Sequence, residues 1–168
     1  PYVTNVYDNT VICYSYSKSL SLPGERIGYL VIPDALKDSG EVFNAATIAN
    51  CVLGCVNAPS LMQRVILRCL DAKVNLEAYD RNRNLLYNGL KDLGFECIKP
   101  QGAFYLFVKS PEADEKKFCE NCKKYNILVV PGTSFACPGY VRISYCVSYE
   151  QIERSLPAFA KVAADYGL

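Results

Sequence analysis

The side chains best suited to chemistry crowd into Ser15-Tyr16-Ser17-Lys18-Ser19-Leu20-Ser21-Leu22-Pro23-Gly24-Glu25-Arg26-Ile27-Gly28-Tyr29. One amine, Lys18, follows an apolar run and is flanked by hydroxyls, and one guanidinium, Arg26, arrives eight residues later across a Pro-Gly bend. Hydroxyl oxygens and a planar, permanently charged fork suit a phosphate dianion. A lysine amine, once unprotonated, attacks a carbonyl carbon. Taken singly, a lysine after serines or an arginine at a strand start is an ordinary solvated residue; the joint pattern is what asks for a ligand carrying both a phosphate and an aldehyde. A second candidate is Arg142 in Tyr140-Val141-Arg142-Ile143-Ser144-Tyr145. If 140–147 is a strand, Tyr140, Arg142, Ser144 and Cys146 share one face, and Val141, Ile143, Tyr145 and Val147 share the other. Such a strand is a rigid mounting for a bidentate carboxylate clamp.

Composition narrows the remaining chemistry. The 168 residues contain no histidine, so there is no Ser-His-Asp or Cys-His nucleophile pair and no histidine-ligated zinc of the protease type. Acid–base work must fall to Lys, Tyr, Cys or a carboxylate. With 18 Lys plus Arg against 17 Asp plus Glu the net charge is +1, and no run of like charges offers a nucleic acid its footprint. The most apolar stretch, 43–56, is interrupted by Asn44 and Asn50 and is too short to span a bilayer. Nine cysteines, an odd count, sit mostly in apolar patterns, including Cys13, Cys51, Cys55, Cys69 and Cys146. They are expected to be reduced, buried thiols of a cytoplasmic protein. The first residue is Pro1 with no signal segment before the first strand-like run, which reads as a piece of something longer.

The elements that must position these groups are legible from periodicity. Val11–Tyr16 and Ile27–Ile32 read as strands, joined by too few residues for a parallel crossover and therefore antiparallel if they are neighbours. From Glu41, Val42, Ala45, Ala46, Ala49, Leu53 and Val56 recur at helical spacing. Asn57-Ala58-Pro59-Ser60 breaks that pattern, and helices are expected over 60–70 and 74–93, the latter ended by Gly94. Then follow a strand at 103–108, a helix at 114–125, strands at 127–130 and 140–147, and a final helix at 149–164. The second half alternates element types and is able to close its own core, whereas the first 70 residues offer helices too little sheet to pack against.

Ser-x-Ser-Lys followed by Pro-Gly-x-Arg-x-Gly-Tyr resembles the cofactor-lysine segment of the aspartate-aminotransferase-like, fold-type I family of pyridoxal-phosphate enzymes. Val130-Pro131-Gly132-Thr133-Ser134-Phe135 with the Arg142 strand, Gln101-Gly102-Ala103-Phe104-Tyr105 and Asn57-Ala58-Pro59-Ser60 match it in the order expected of the family's C-terminal part. The resemblance implies an α/β chain in which residues 1–70 end the large cofactor-binding domain and 71–168 form the small α+β domain. It implies pyridoxal 5'-phosphate, with Lys18 as the Schiff-base lysine that also shuttles the substrate proton. Ser15, Ser17 and Arg26 would then hold the phosphate, and Arg142 the substrate α-carboxylate. Gly24 and Gly28 would permit the bend and close backbone approach, while Tyr16 and Tyr29 would pack. Its partners would be an amino acid and a 2-oxo acid, with no metal, in a homodimeric parent working by ping-pong transamination.

The family's ring-nitrogen aspartate and its ring-hydroxyl Asn and Tyr lie further upstream than the 17 residues preceding Lys18, and Asp8 does not match that spacing. The isolated piece is therefore expected to be inactive. Three other readings stay open. The same lysine and arginine serve a C–S β-lyase, a decarboxylase or a synthase. Cys119-Glu120-Asn121-Cys122 matches a redox pair or half a zinc site, although it falls in an amphipathic helix with Phe118 and Tyr125. Finally, the chain alone could act as a binding or assembly module with apolar patches exposed.

Overall fold

The computed structural model describes residues 2–168. The chain divides into two compact units, the first ending at Val74 and the second comprising Asn75–Leu168.

In the first unit, β1 (Ile12–Ser15) pairs antiparallel with β2 (Gly28–Val31), Ser15 opposite Gly28 and Ile12 opposite Val31. The expected strand to Tyr16 stops one residue sooner, because Ser15 caps a single helical turn, α1 (Tyr16–Ser19), its side chain accepting from the Ser17 amide. A serine hydroxyl at that position satisfies a backbone donor the turn would otherwise leave open. Helices α2 (Ser39–Val52) and α3 (Ser60–Arg68) follow, separated by the Asn-Ala-Pro break. No residue of α2 is buried, and among the described residues of the unit only Ile27, Leu36 and Ile66 are. The expected burial of cysteines fails here as well. Cys13, Cys51 and Cys55 are exposed and Cys69 is partly so; Cys146 in the second unit is also exposed. Their apolar neighbours have little in this unit to pack against.

The second unit is built around a three-stranded antiparallel sheet in the order β3-β5-β4: β3 (Tyr105–Lys109), β5 (Tyr140–Ser144) and β4 (Val130–Pro131). Helices α4 (Leu76–Asp92), α5 (Glu115–Lys124) and α6 (Tyr149–Asp165) complete it. Alternation along the strands works as period 2 demands: Leu106, Val108, Val141 and Ile143 are buried, while Tyr105, Phe107 and Arg142 stand on the other face. The core joins these side chains to Leu86, Leu90, Phe118, Cys122, Ile152, Phe159 and Val162 from the helices. The short β4 differs from the expected 127–130 strand because the chain is still ending α5 there. Asn126 takes the left-handed conformation and the Ile127 amide caps the Cys122 carbonyl.

Candidate functional site

Four of the expected site residues lie on one connection of the first unit. Ser15, Ser17 and Lys18 occupy the end of β1 and the single turn α1, with the Ser15 and Ser17 hydroxyls 2.9 Å apart. Arg26 comes back to the same end of the ladder, since the Tyr16 amide donates to the Ile27 carbonyl at 3.1 Å and Ser15 faces Gly28. Arg26 itself sits at φ 50°, and its Nη1 donates to the Pro23 carbonyl at 2.8 Å, which folds the guanidinium over its own bend. A non-glycine residue in that region is uncommon and marks a conformation imposed by its surroundings.

The two glycines assigned to this bend behave differently. A Cβ on Gly28 would lie 2.3 Å from the Tyr14 carbonyl oxygen and 3.2 Å from Ser15 Cα, so close strand approach requires glycine there. A Cβ on Gly24 would meet nothing within 4 Å, and the left-handed conformations of the bend fall on Ser21 and Arg26 instead.

Tyr14, Tyr16 and Tyr29 form a ring cluster at the same place, with Tyr14 stacked on Tyr29 at 5.0 Å. Partial desolvation, followed by the neighbouring Tyr16 and Tyr14 phenols, holds Tyr29 above the ordinary tyrosine range. A groove of about 720 Å³ opens beside β1, β2 and α2, lined by apolar groups such as Leu30, Phe43 and Leu53. Lys18 does not line it.

A phosphate needs several donors at one place and an aldehyde needs an amine beside them. Two adjoining hydroxyls, the turn that carries Lys18 and the returning backbone of Arg26 lie at one end of the ladder, and these residue types match in kind what a phosphate and an aldehyde call for.

Arg142 belongs to the second unit. It occupies the central strand β5, opposite Phe107 on β3 and Val130 on β4, and is half-buried. Its guanidinium carbon lies 4.1 Å from the Tyr105 ring centroid and 3.8 Å from that of Phe135. Among the described residues no carboxylate pairs with it. The sequence reading assigned Tyr105 and Phe135 no role, although period 2 in β3 placed Tyr105 opposite the buried Leu106 and Val108.

The segment carrying Phe135, a 3-10 turn over Gly132–Phe135, is fastened from beneath by Glu115. That buried carboxylate accepts from the Thr133 hydroxyl, from the Thr133 amide at 3.3 Å and from the Gly139 amide at 3.3 Å. Gly132 is required as well, since a Cβ would lie 2.1 Å from the Cys137 carbonyl oxygen. Glu115 was missed by the sequence reading; its only signal was a carboxylate on an apolar face of a helix beginning at an Asp cap.

The Cys119–Cys122 pair does not have the character of thiolates. Both are buried in the core, and desolvation pushes both thiols up, Cys122 to about 12. Redox and metal thiolates need the opposite shift.

These features coincide with a known fold. The chain superposes over its whole length on 42% of an amino transferase from Eubacterium rectale, with TM-score 0.92 and 52% identity. The fold is that of part of a fold-type I aminotransferase. The model of the family "aminotransferase class I and II" matches residues 3–159, and the chain belongs to that family. In sequence it is 31% identical to an aspartate aminotransferase of Thermotoga maritima, over 92% of this chain and 40% of that protein. It is 33% identical to an aspartate/prephenate aminotransferase of Thermus thermophilus, over 92% of this chain and 41% of that protein. The chain thus spans about two fifths of the length of the curated relatives it matches. The family is one that depends on pyridoxal phosphate. No helix among the described residues is long and apolar enough to cross a membrane.

Proposed function

We propose that these residues form the cofactor-lysine and substrate-carboxylate part of a pyridoxal-phosphate-dependent aminotransferase, which at full length moves an amino group between an α-amino acid and a 2-oxo acid. The observation that carries this reading is the convergence of Ser15, Ser17, Lys18 and Arg26 on one end of the β1–β2 ladder, in a chain of the class I and II family. The cofactor, when bound, supplies an aldehyde and an electron-withdrawing ring able to hold the charge left when a substrate loses its α-proton.

This chain's residues do part of the rest. The Ser15 and Ser17 hydroxyls and the Arg26 guanidinium hold the phosphate. Lys18 would hold the cofactor through its amine, and that amine, when free, would take the substrate α-proton and return it elsewhere. Arg142 receives the substrate carboxylate through paired N–H donors.

The exposed apolar side chains of the first unit, Phe43, Ile48 and Leu53 among them, fit surface that the rest of a full-length homodimer covers. Nine cysteines with no disulfide among them suit a reducing compartment such as the cytoplasm.

The test is to load the full-length protein with pyridoxal phosphate, follow its visible absorption band, and assay the twenty common L-amino acids as donors with 2-oxoglutarate as acceptor. A band that Lys18→Ala removes, together with glutamate formation from at least one donor that the same variant no longer uses, is the expected result. A parent band that Lys18→Ala leaves in place, or release of pyruvate without glutamate, sinks the assignment.

A further inference from the structure

Arg142 is a half-buried cation without a carboxylate partner among the described residues, yet it is tightly housed. Tyr105 and Phe135 bring their rings within 4.1 Å and 3.8 Å of its guanidinium carbon. Phe107, the direct cross-strand partner of Arg142, meets Phe135 edge-on at 6.4 Å and 84°, which braces the second ring. An aromatic face attracts a cation through its quadrupole but accepts no ordinary hydrogen bond. Rings set against a guanidinium therefore help to fix it while leaving N–H groups for a ligand. A salt bridge would fix it only by consuming those donors.

We propose that Tyr105 and Phe135 are positioning residues that clamp the Arg142 guanidinium so that it meets the substrate carboxylate edge-on, through two parallel N–H bonds. The proposal rests on the reading of Arg142 given above. An arginine side chain free to rotate must be ordered when a ligand binds, and that ordering weakens binding; a clamp set beforehand removes the loss.

The mounting of the two rings supports such a role. Tyr105 stands on β3, hydrogen-bonded along its length to β5. Phe135 stands on the turn that the buried Glu115 carboxylate ties down through Thr133 and Gly139. Neither ring depends on a mobile surface side chain for its place. Substrates are thereby selected for a planar anion at the end held by Arg142, since two rings occupy the space beside its guanidinium carbon.

The experiment uses full-length protein loaded with pyridoxal phosphate and the donor of highest kcat/KM from the panel of twenty amino acids. Phe135→Leu and Tyr105→Leu are each expected to raise KM for that donor about threefold, in line with loss of a partly exposed cation–ring contact, with kcat and the cofactor band little changed. Phe135→Tyr, which keeps a ring, is expected to keep the parent KM.

A second readout is independent of turnover. In protein labelled with 15N-arginine, the Arg142 Nε–H signal carries a ring-current displacement in the parent and loses it in Phe135→Leu. A KM raised by Arg142→Lys but unmoved by both leucine variants overturns the clamp while leaving the role of Arg142 intact. A KM unmoved by Arg142→Lys overturns that role and the clamp with it. Absence of ring displacement in the parent signal overturns the clamp whatever the kinetics.

Discussion

The two units of this chain use similar amounts of apolar sequence to opposite effect. In Asn75–Leu168 the hydrophobic side chains interlock: Leu90, Val141, Cys122 and Val162 are completely buried, and a central strand carries Arg142 on its opposite face. In the unit ending at Val74, α2 buries none of its fourteen residues, and Phe43, Ile48, Val52 and Leu53 remain largely open to solvent. An amphipathic pattern requires a partner surface, and a two-stranded ladder with two helices provides little of one. The difference teaches that the residues proposed for the cofactor and the residue proposed for the substrate carboxylate sit on supports of unequal strength. Arg142 is held by its own unit's core. Lys18 and Arg26 are held by a short ladder, a one-turn helix and a bend.

Truncating one phenylalanine in each unit breaks the comparison most directly. Phe118 is almost completely buried and touches the rings of Phe95 and Tyr166, so Phe118→Ala is expected to cost about 3–5 kcal/mol. Phe43 is 60% exposed, and Phe43→Ala in this chain should cost less than about 0.5 kcal/mol. Urea unfolding of both variants, followed by a probe in each unit, measures the two values. Repeating Phe43→Ala in the full-length protein sharpens the point, since a cost rising to about 2 kcal/mol or more there identifies Phe43 as core residue of a larger domain. Equal costs in the two units of this chain would erase the distinction drawn between them.

Legibility followed the same division. Where an element carried its own partner, sequence period was enough: α4, α5, α6 and the alternation of β5 around Arg142 emerged close to their expected bounds. The short connection gave the antiparallel direction of β1 and β2 on condition that they neighbour each other, and they do. The open faces of α2 agree with the expectation that the first 70 residues give their helices too little sheet to pack against; the cysteines alone were misread, because periodicity reports which face is apolar, not whether anything covers it. Cys13, Cys51 and Cys55 have apolar neighbours in sequence and solvent around them in space. The joint spacing of Ser15, Ser17, Lys18 and Arg26 was readable because the residues lie close together along the chain. The rings around Arg142 were not, since Tyr105 and Phe135 reach it from two other segments, and only strand register and the Glu115 tether bring them there.

Gly28 and Gly24 offer a smaller and more local contrast, within the weaker unit itself. Gly28→Ala drives a Cβ to 2.3 Å from the Tyr14 carbonyl oxygen, and the ladder must part by a corresponding amount, at about 1–3 kcal/mol. Gly24→Ala meets only open space and reduces the freedom of the unfolded chain, so it should be neutral or stabilising by about 0.4–1 kcal/mol. Amide exchange at Tyr16, whose N–H donates to the Ile27 carbonyl, reads the ladder directly. Exchange there is expected to accelerate in Gly28→Ala and to stay as in the parent in Gly24→Ala. The reverse order would mean that the bend at Gly24, rather than close strand approach at Gly28, sets the path from Lys18 to Arg26.

The smallest effect lies in the thiols, where it separates a packed interior from an open surface by pH. In the folded second unit the Cys122 thiol is pushed up to about 12 from an ordinary 9.0, first by desolvation and then by its neighbour Cys119. The folded state therefore keeps a proton that the unfolded chain releases. A group raised in this way contributes its full stability below pH 9.0, and that contribution drains away as pH climbs toward about 12. The urea midpoint of the second unit is thus expected to fall through this window, and Cys122→Ala to flatten the fall. Lysine and tyrosine titration adds its own slope at such pH, so the difference between parent and variant is the quantity to compare. Alkylation at neutral pH supplies the independent check: Cys13, Cys51 and Cys55 should react with iodoacetamide in the folded protein, and Cys122 only once the core opens. Identical midpoint curves for parent and Cys122→Ala, with prompt alkylation at Cys122, would show that the α5 side of the core admits water as freely as α2 does.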